Sequence, residues 1–299
     1  MGPETVSNVD PIDRAEAERD VTARVIDSFA ATPDERFRFI LQSLTEHLHA
    51  FVRDVRLTEA EWEKGIDFLT RVGQISDDRR QEFILLSDVL GLSMLTIGIN
   101  HPVVAGATES TVFGPFFLED APRIALGGDI SGGASGEPCW VSGRVTGIDG
   151  EPIAGARIEV WEADDEGHYD VQYEDERVAG RAHLFTGDQG EYRFWGLTPT
   201  PYPIPHDGPV GELLDHAHRT PMRASHLHFM VTAPDYGRLV THIFVAGDPR
   251  LETDAVFGVK ESLVKHFSPH TASEPTPDGR VVHTSWSDVV FDIVLSPER

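Results

Sequence analysis

Hydrophobic positions recur with two different periods along the chain. Through the first third they return at three- and four-residue steps, the spacing of one helix face. Phe37, Ile40, Leu41, Leu44, Leu48, Phe51 and Val52 form one such stripe. It opens at Thr32-Pro-Asp-Glu35, which reads as a capping box with Pro at the first helical position. Thr58-Glu-Ala-Glu61 caps a second stripe carrying Trp62, Ile66, Leu69 and Val72. Ser76 is expected to start a third, with Phe83, Leu86, Val89 and Leu90 turned inward. A weaker periodic stretch over 15–29 predicts an earlier helix. Apolar faces this extensive require cover, from another domain or from a second subunit.

The pattern changes after Asn100-His-Pro102. Gly127, Gly128, Gly132, Gly133 and Gly136 mark a loop-rich linker. Short apolar runs bounded by Gly, Pro and Asp then predict strands at 139–146, 156–162, 192–196, 226–232, 239–245 and 289–295. Their spacing suggests an antiparallel β-sandwich. The chain therefore reads as α+β, with a helical N-terminal part over 1–105 and a β-sandwich over 106–299. The segments from Gly150 to Val160 and from Thr186 to Phe194 resemble the strand–turn pattern of prealbumin-like sandwiches. Such domains are often binding modules without catalysis, so that likeness supports a fold and no activity.

Composition narrows the classes. A net charge of -25 argues against nucleic acid or an anionic membrane as partner, and an anionic substrate would need a locally positive pocket. Cys139 is the only cysteine, which excludes an intramolecular disulfide and a cysteine-based zinc or iron–sulfur site. That fits a reducing cytoplasm. The N-terminal Met1-Gly-Pro-Glu-Thr-Val-Ser lacks the basic and apolar regions of a signal peptide. No stretch approaches the apolar length of a membrane span, so no membrane protein is expected.

Candidate chemistry centres on His226 and His228, in a segment that reads as a buried strand. Residues i and i+2 of a strand share one face, so both imidazoles can reach one metal ion. His47 and His49 have the same spacing within a helical pattern, where such residues do not face each other. His216 and His218 lie in a charged, loop-like stretch. The strand pair alone leaves three readings open: zinc, iron(II) with a carboxylate, and hydrogen-bonded core histidines. Tyrosine is scarce, with five in the chain. Tyr169 follows Trp161-Glu-Ala-Asp-Asp-Glu-Gly-His168, and Tyr202 lies in Pro199-Thr-Pro-Tyr-Pro-Ile-Pro205, a segment stiffened by proline. Taken singly, each reads as packing at the sandwich edge. Combined with the histidines, two phenolates make a hard, dianionic set suited to iron(III).

These segments, with Arg223 through His228 and Val245-Ala-Gly-Asp-Pro249, resemble the intradiol ring-cleavage dioxygenases over nearly the whole chain. Ala107-Thr-Glu-Ser-Thr-Val-Phe-Gly-Pro-Phe116, His206-Asp-Gly-Pro-Val-Gly211 and Asp254-Ala-Val-Phe-Gly-Val-Lys260 point to the branch that opens hydroxyquinol, benzene-1,2,4-triol. The close alternative is a catechol or chlorocatechol enzyme. A prealbumin-like module that binds without catalysis is the alternative from another class. The resemblance implies non-haem iron(III) held by Tyr169, Tyr202, His226 and His228, with hydroxide or water in the fifth position. It makes Arg223 and Tyr202 catalytic: Tyr202 takes a substrate proton, and Arg223 stabilises anionic character on the ring. It implies a substrate pocket of Leu85, Asp88, Val112, Phe113, Gly114, Pro115, Phe116, Ile204, Pro205, Arg223 and Val256. It further implies a homodimer joined through the helical domains, with an apolar channel there for a phospholipid. One departure stands out: His242 occupies a position where catechol-cleaving relatives commonly show glutamine.

Overall fold

The structure, a computed structural model, describes residues 11–77, 80–175 and 177–298, without the side chains of 11–14. The N-terminal segment read for a signal peptide lies outside the described residues. The chain divides into two compact units, residues 1–70 and 71–299.

The first unit is helical. Helix α1 (Pro11–Ser28) packs on α2 (Glu35–Val55), where Thr22 Oγ1 accepts from Arg53 Nη1 at 2.7 Å and meets His49 Nδ1 at 3.0 Å. Asp34, not Thr32, caps α2: its carboxylate accepts from Phe37 N at 2.9 Å. Pro33 therefore precedes the cap. Helix α3 (Glu59–Ile75) opens on the expected capping box, with Thr58 N donating to Glu61 Oε2 at 2.9 Å and Glu61 N to Thr58 Oγ1 at 3.3 Å. No residue of α2 is buried. Phe37, Leu44, Leu48 and Phe51 are each more than half exposed.

In the second unit, Ser76 finishes a helix instead of starting one, because its hydroxyl donates back to Val72 O at 2.8 Å. Helix α4 (Glu82–Val89) follows, then α5 (Leu92–Asn100). The buried face of α4 is Glu82, Leu85, Asp88 and Val89, while Phe83 and Leu90 are exposed. The face turns because the Glu82 carboxylate is held inside, by Arg80 at 3.0 Å and by Val210 N at 3.1 Å. No single helix among the described residues is long and apolar enough to cross a membrane; α4 and α5 pass that test only as a pair, bent by 79°.

The strands are β1 (Pro138–Gly147), β2 (Arg157–Trp161), β3 (Arg181–Phe185), β4 (Glu191–Leu197), β5 (Tyr202–Pro203), β6 (Met222–Arg223), β7 (His226–Thr232), β8 (Leu239–Val245), β9 (Val264–Lys265), β10 (Ser268–His270), β11 (Trp286–Val290) and β12 (Ile293–Leu295). Helix α6 (Pro209–His216) lies between β5 and β6 in sequence. One five-stranded sheet runs β10-β11-β1-β12, with β4 paired to β1. The other runs β3-β2-β7-β8-β9, and β5 pairs with β6 separately. The two larger sheets face each other across a core that includes Val141, Phe194 and Phe291 from one side and Ile158, Leu227 and Phe229 from the other.

The sheets are mixed, not purely antiparallel. Strand β1 runs parallel to β11 and β12, and β8 runs parallel to β9. The strand expected at 289–295 is two strands, interrupted where Phe291 O accepts from Tyr192 Oη at 2.5 Å and Asp292 Oδ1 accepts from Arg144 N at 2.9 Å. Strands β5, β6, β9 and β10 have two or three residues each, too few to carry a readable period.

Candidate metal centre and pocket

Strand β7 delivers two histidines to one face. His226 and His228 are 2% and 1% exposed, with ring centroids 4.8 Å apart. The neighbouring strands build walls around them: Trp161 on β2 and His242 on β8 are the register partners of His228. Trp161 stacks on the His228 ring at 4.6 Å and 18°. His226 Nδ1 donates to Ala224 O at 2.6 Å, which leaves the Nε2 lone pair directed away from the strand. Burial and the Arg223 charge push the His226 imidazole down to about 3. Burial and His242 push His228 far below its ordinary range. Both are therefore neutral, the protonation state a ligand needs.

The tyrosines arrive from two loops. Tyr169 precedes a short 3₁₀ turn, Asp170–Gln172, and its N–H donates to Gln172 Oε1 at 2.9 Å. Buried Asp170 pairs with buried Arg181, and Phe116 stacks on the Tyr169 ring at 4.5 Å. Tyr202 begins β5, directly opposite Arg223 on β6. Gly167 joins the two loops. Its φ of 85° favours glycine, and a Cβ there would meet Tyr202 Cβ at 2.4 Å.

Four donor atoms converge. Tyr169 Oη lies 2.9 Å from Tyr202 Oη and 3.0 Å from His228 Nε2, and Tyr202 Oη lies 3.1 Å from His226 Nε2. Burial and the neighbouring Tyr202 raise the Tyr169 phenol well above its ordinary range; burial also raises Tyr202, though Arg223 opposes the shift. A phenolate at either position thus needs a compensating cation. Two neutral imidazoles and two phenols, enclosed and within hydrogen-bond reach of one another, fit a metal ion that displaces the phenolic protons. The ring nitrogens of His226, His228 and His242 also lie within 4.8 Å of one another. Such a group could hold a metal ion.

Arg223 stands beside it, 4% exposed. Its Nη1 is 3.2 Å from His226 Nε2, and its Nε donates to Asp254 Oδ1 at 3.1 Å. Leu85, Asp88, Val112, Gly114, Pro115, Phe116, Ile204, Pro205 and Val256 line one cavity with Tyr202 and Arg223. Phe113 is not on that wall. Its ring packs behind it, 4.7 Å from Phe117 and 5.8 Å from Trp161. Burial raises the Asp88 carboxyl, against a hydrogen bond from Ser93 and the Arg223 charge. The other histidine pairs serve locally: His49 meets Thr22, and His216 meets Glu212 O at 2.7 Å.

Two residues of the site escape the sequence reading. Trp161 read as a strand residue, and Asp254 only as part of a segment. His242, singled out as a departure from the glutamine of catechol-cleaving relatives, also lies at the site. It is wholly buried, with Nδ1 2.6 Å from Thr111 Oγ1 and Nε2 without a hydrogen-bond partner among the described residues. Strand register explains its place, since β8 sets it beside His228.

Comparison with known proteins follows this geometry. Residues 34–108 match the family described as Catechol dioxygenase N terminus, and residues 112–297 match the one described as Dioxygenase. The chain belongs to the intradiol ring-cleavage dioxygenases. It is 64% identical over 280 residues to a hydroxyquinol 1,2-dioxygenase of Nocardioides simplex, covering 94% of this chain and 96% of that one. It is 57% identical to a 6-chlorohydroxyquinol 1,2-dioxygenase of Cupriavidus pinatubonensis, covering 94% and 98%. Among solved structures, a hydroxyquinol 1,2-dioxygenase from Pseudomonas putida matches with a TM-score of 0.88 and 43% identity, over 95% of this chain and 100% of that chain.

Proposed function

We propose that the chain is an iron(III) enzyme that opens hydroxyquinol with O2, breaking the bond between two hydroxyl-bearing carbons to give 3-hydroxy-cis,cis-muconate, which tautomerises to maleylacetate. One observation carries the reading: Tyr169 Oη, Tyr202 Oη, His226 Nε2 and His228 Nε2 form one buried chain of contacts beside Arg223. The similarity to hydroxyquinol-named relatives favours that substrate over catechol.

Those four residues would hold the iron. Bound there, iron(III) supplies the charge that keeps both phenols ionised and draws electron density from a chelated diol. Tyr202 Oη accepts one substrate hydroxyl proton. Arg223 faces the negative charge that grows on the ring oxygens, a preorganised donor in a water-poor pocket. Val112, Pro115, Ile204 and Val256 hold the flat ring and exclude water. Asp88 accepts a hydrogen bond from the third hydroxyl, which catechol lacks.

Residues 106–299 carry the four proposed ligands and Arg223, and 1–105, which also lends Leu85 and Asp88 to the pocket, joins two copies into a homodimer whose apolar channel takes a phospholipid. The exposed stripe on α2 supports that pairing. The single, buried cysteine supports a cytoplasmic location.

Colour and oxygen uptake test the reading together. The purified, iron-loaded chain should be reddish from tyrosinate-to-iron charge transfer and should consume O2 faster with hydroxyquinol than with catechol. A protein that stays colourless with iron defeats it. Arg223→Ala should keep iron and colour but lose most turnover.

A further inference from the structure

Arg223 sits on a two-residue strand, too short to fix a long side chain by itself. Its guanidinium is nevertheless fixed through one carboxylate, Asp254, which is itself held at three points. Asp254 Oδ1 accepts from Arg223 Nε at 3.1 Å and from Ala224 N at 3.2 Å, while Oδ2 accepts from Gly258 N at 2.8 Å. One carboxylate thus joins the β6 side chain, the backbone leading into β7, and the end of the 254–258 loop that carries Val256 to the pocket. Gly258 closes the fork from behind: a Cβ there would stand 3.1 Å from Arg223 Nη2. The loop stores strain to make this turn, since Phe257 has a φ of 58°, and Arg219 lies over its ring at 4.9 Å. A buried guanidinium without a counter-charge is costly, and Asp254, 5% exposed, supplies that charge. Burial alone would raise the Asp254 carboxyl, but Arg223 and the Gly258 N–H hold it below its ordinary range. With Nε and Nη2 enclosed, Nη1 is the edge left to face the donor cluster.

We propose that Asp254 is a positioning residue of this enzyme, fixing the Arg223 fork at the site and locking it to the loop that carries Val256. The inference rests on the reading of Arg223 as the group that stabilises charge on the substrate. The experiment is a double-mutant cycle on the full-length, iron-loaded chain: Arg223→Ala, Asp254→Asn and the pair, assayed with hydroxyquinol and O2. Iron content, melting temperature and an optical titration with hydroxyquinol under argon accompany each variant. Asp254→Asn should lower kcat by about 10- to 100-fold with a much smaller change in KM and in anaerobic affinity. In the Arg223→Ala background the same change should cost under about twofold. An equal loss in both backgrounds assigns Asp254 a merely structural role and overturns the proposal. Full turnover in Arg223→Ala overturns the Arg223 reading itself, and this inference with it, by a result that cannot be mistaken for additivity. Should Asp254→Asn fail to fold, Gly258→Ala keeps the carboxylate and presses on Arg223 Nη2. It should show the same kcat loss, and unchanged kcat would count against the fork.

Discussion

The sandwich and helix α2 depart from the usual inside–outside rule in opposite directions. In the sandwich, Tyr169, Tyr202, His226 and His228 are 1–4% exposed, although each carries a polar group that burial penalises. Along α2, Ile40, Leu44, Leu48, Phe51 and Val52 are 43–54% exposed, although each gains by burial. The two departures differ in kind. The buried cluster is neutral, its phenols and imidazoles within hydrogen-bond reach of one another, and a point charge is what would let the phenols ionise. The exposed stripe requires area, because its deficit is spread over several turns. On the proposed reading, a single metal ion would meet the first need and a second copy of the chain the second.

Removing the charge should produce the largest effect. Chelation of iron should abolish colour and turnover together. It should also lower the melting temperature, since a ligand present at about a thousand times its Kd stabilises the folded state by about 4 kcal/mol. Calorimetry on stripped and reloaded protein checks this. Identical melting curves would mean that the cluster is satisfied without metal, and the comparison would collapse.

The stripe should respond next. Leu44→Glu with Leu48→Glu places two charges on the apolar face of α2 and forfeits about 2 kcal/mol of burial per residue in any pair of copies. Sedimentation velocity should show a dimer becoming a monomer, with iron content per chain unchanged. A variant that stays dimeric would show that this face is covered by something other than a second copy.

The two regions also differed in how far the sequence disclosed them. The α2 stripe was legible because helical period and exposure are both one-dimensional patterns. Its cap falls on Asp34 and not on Thr32 because side chains on either side of Pro33 could each serve, and only the local turn decides. In the sandwich, β7 and β8 were read to their ends because each is a long apolar run between breakers. The site was readable only in part. Tyr169 and Tyr202 gained meaning from the resemblance, since spacing in sequence does not reveal that Gly167 brings their loops together. Asp254 and Trp161 act through partners distant in sequence, and Phe113 turned to a neighbouring aromatic cluster. No local pattern encodes such choices, because each side chain selects among contacts that exist only after the sheets pair.

A smaller effect should separate substrates. Asp88 is buried on α4, facing the pocket, and burial keeps its carboxyl raised. If it bonds the third hydroxyl, Asp88→Ala should reduce the kcat/KM preference for hydroxyquinol over catechol by about tenfold, the worth of one hydrogen bond to a neutral group. An unchanged ratio would remove Asp88 from the specificity argument while leaving the metal site intact.

Glu162 sharpens the comparison from within the sandwich, because it is a buried polar group that requires no metal. It is 2% exposed; Oε1 accepts from Leu197 N at 2.8 Å, and Oε2 has no hydrogen-bond partner among the described residues. Burial raises its pKa to about 8, with the Leu197 N–H opposing the shift and Asp129 adding to it. The carboxyl thus resolves its own penalty by keeping its proton, an option that a neutral histidine ligand set does not offer a metal-free site. The sign follows from the raised value: stability is fully present below the ordinary pKa of 4.5 and is lost as pH rises through about 8. Glu162→Gln keeps the shape and the acceptor while removing the titration. The melting temperature of the variant should fall less steeply than that of the parent between those two values. The difference at the alkaline end should be on the order of 5 kcal/mol, from a shift of 4.5 to about 8 at about 1.4 kcal/mol per pKa unit. Equal slopes in parent and variant would mean that Glu162 ionises freely in the fold and that burial does not hold its proton.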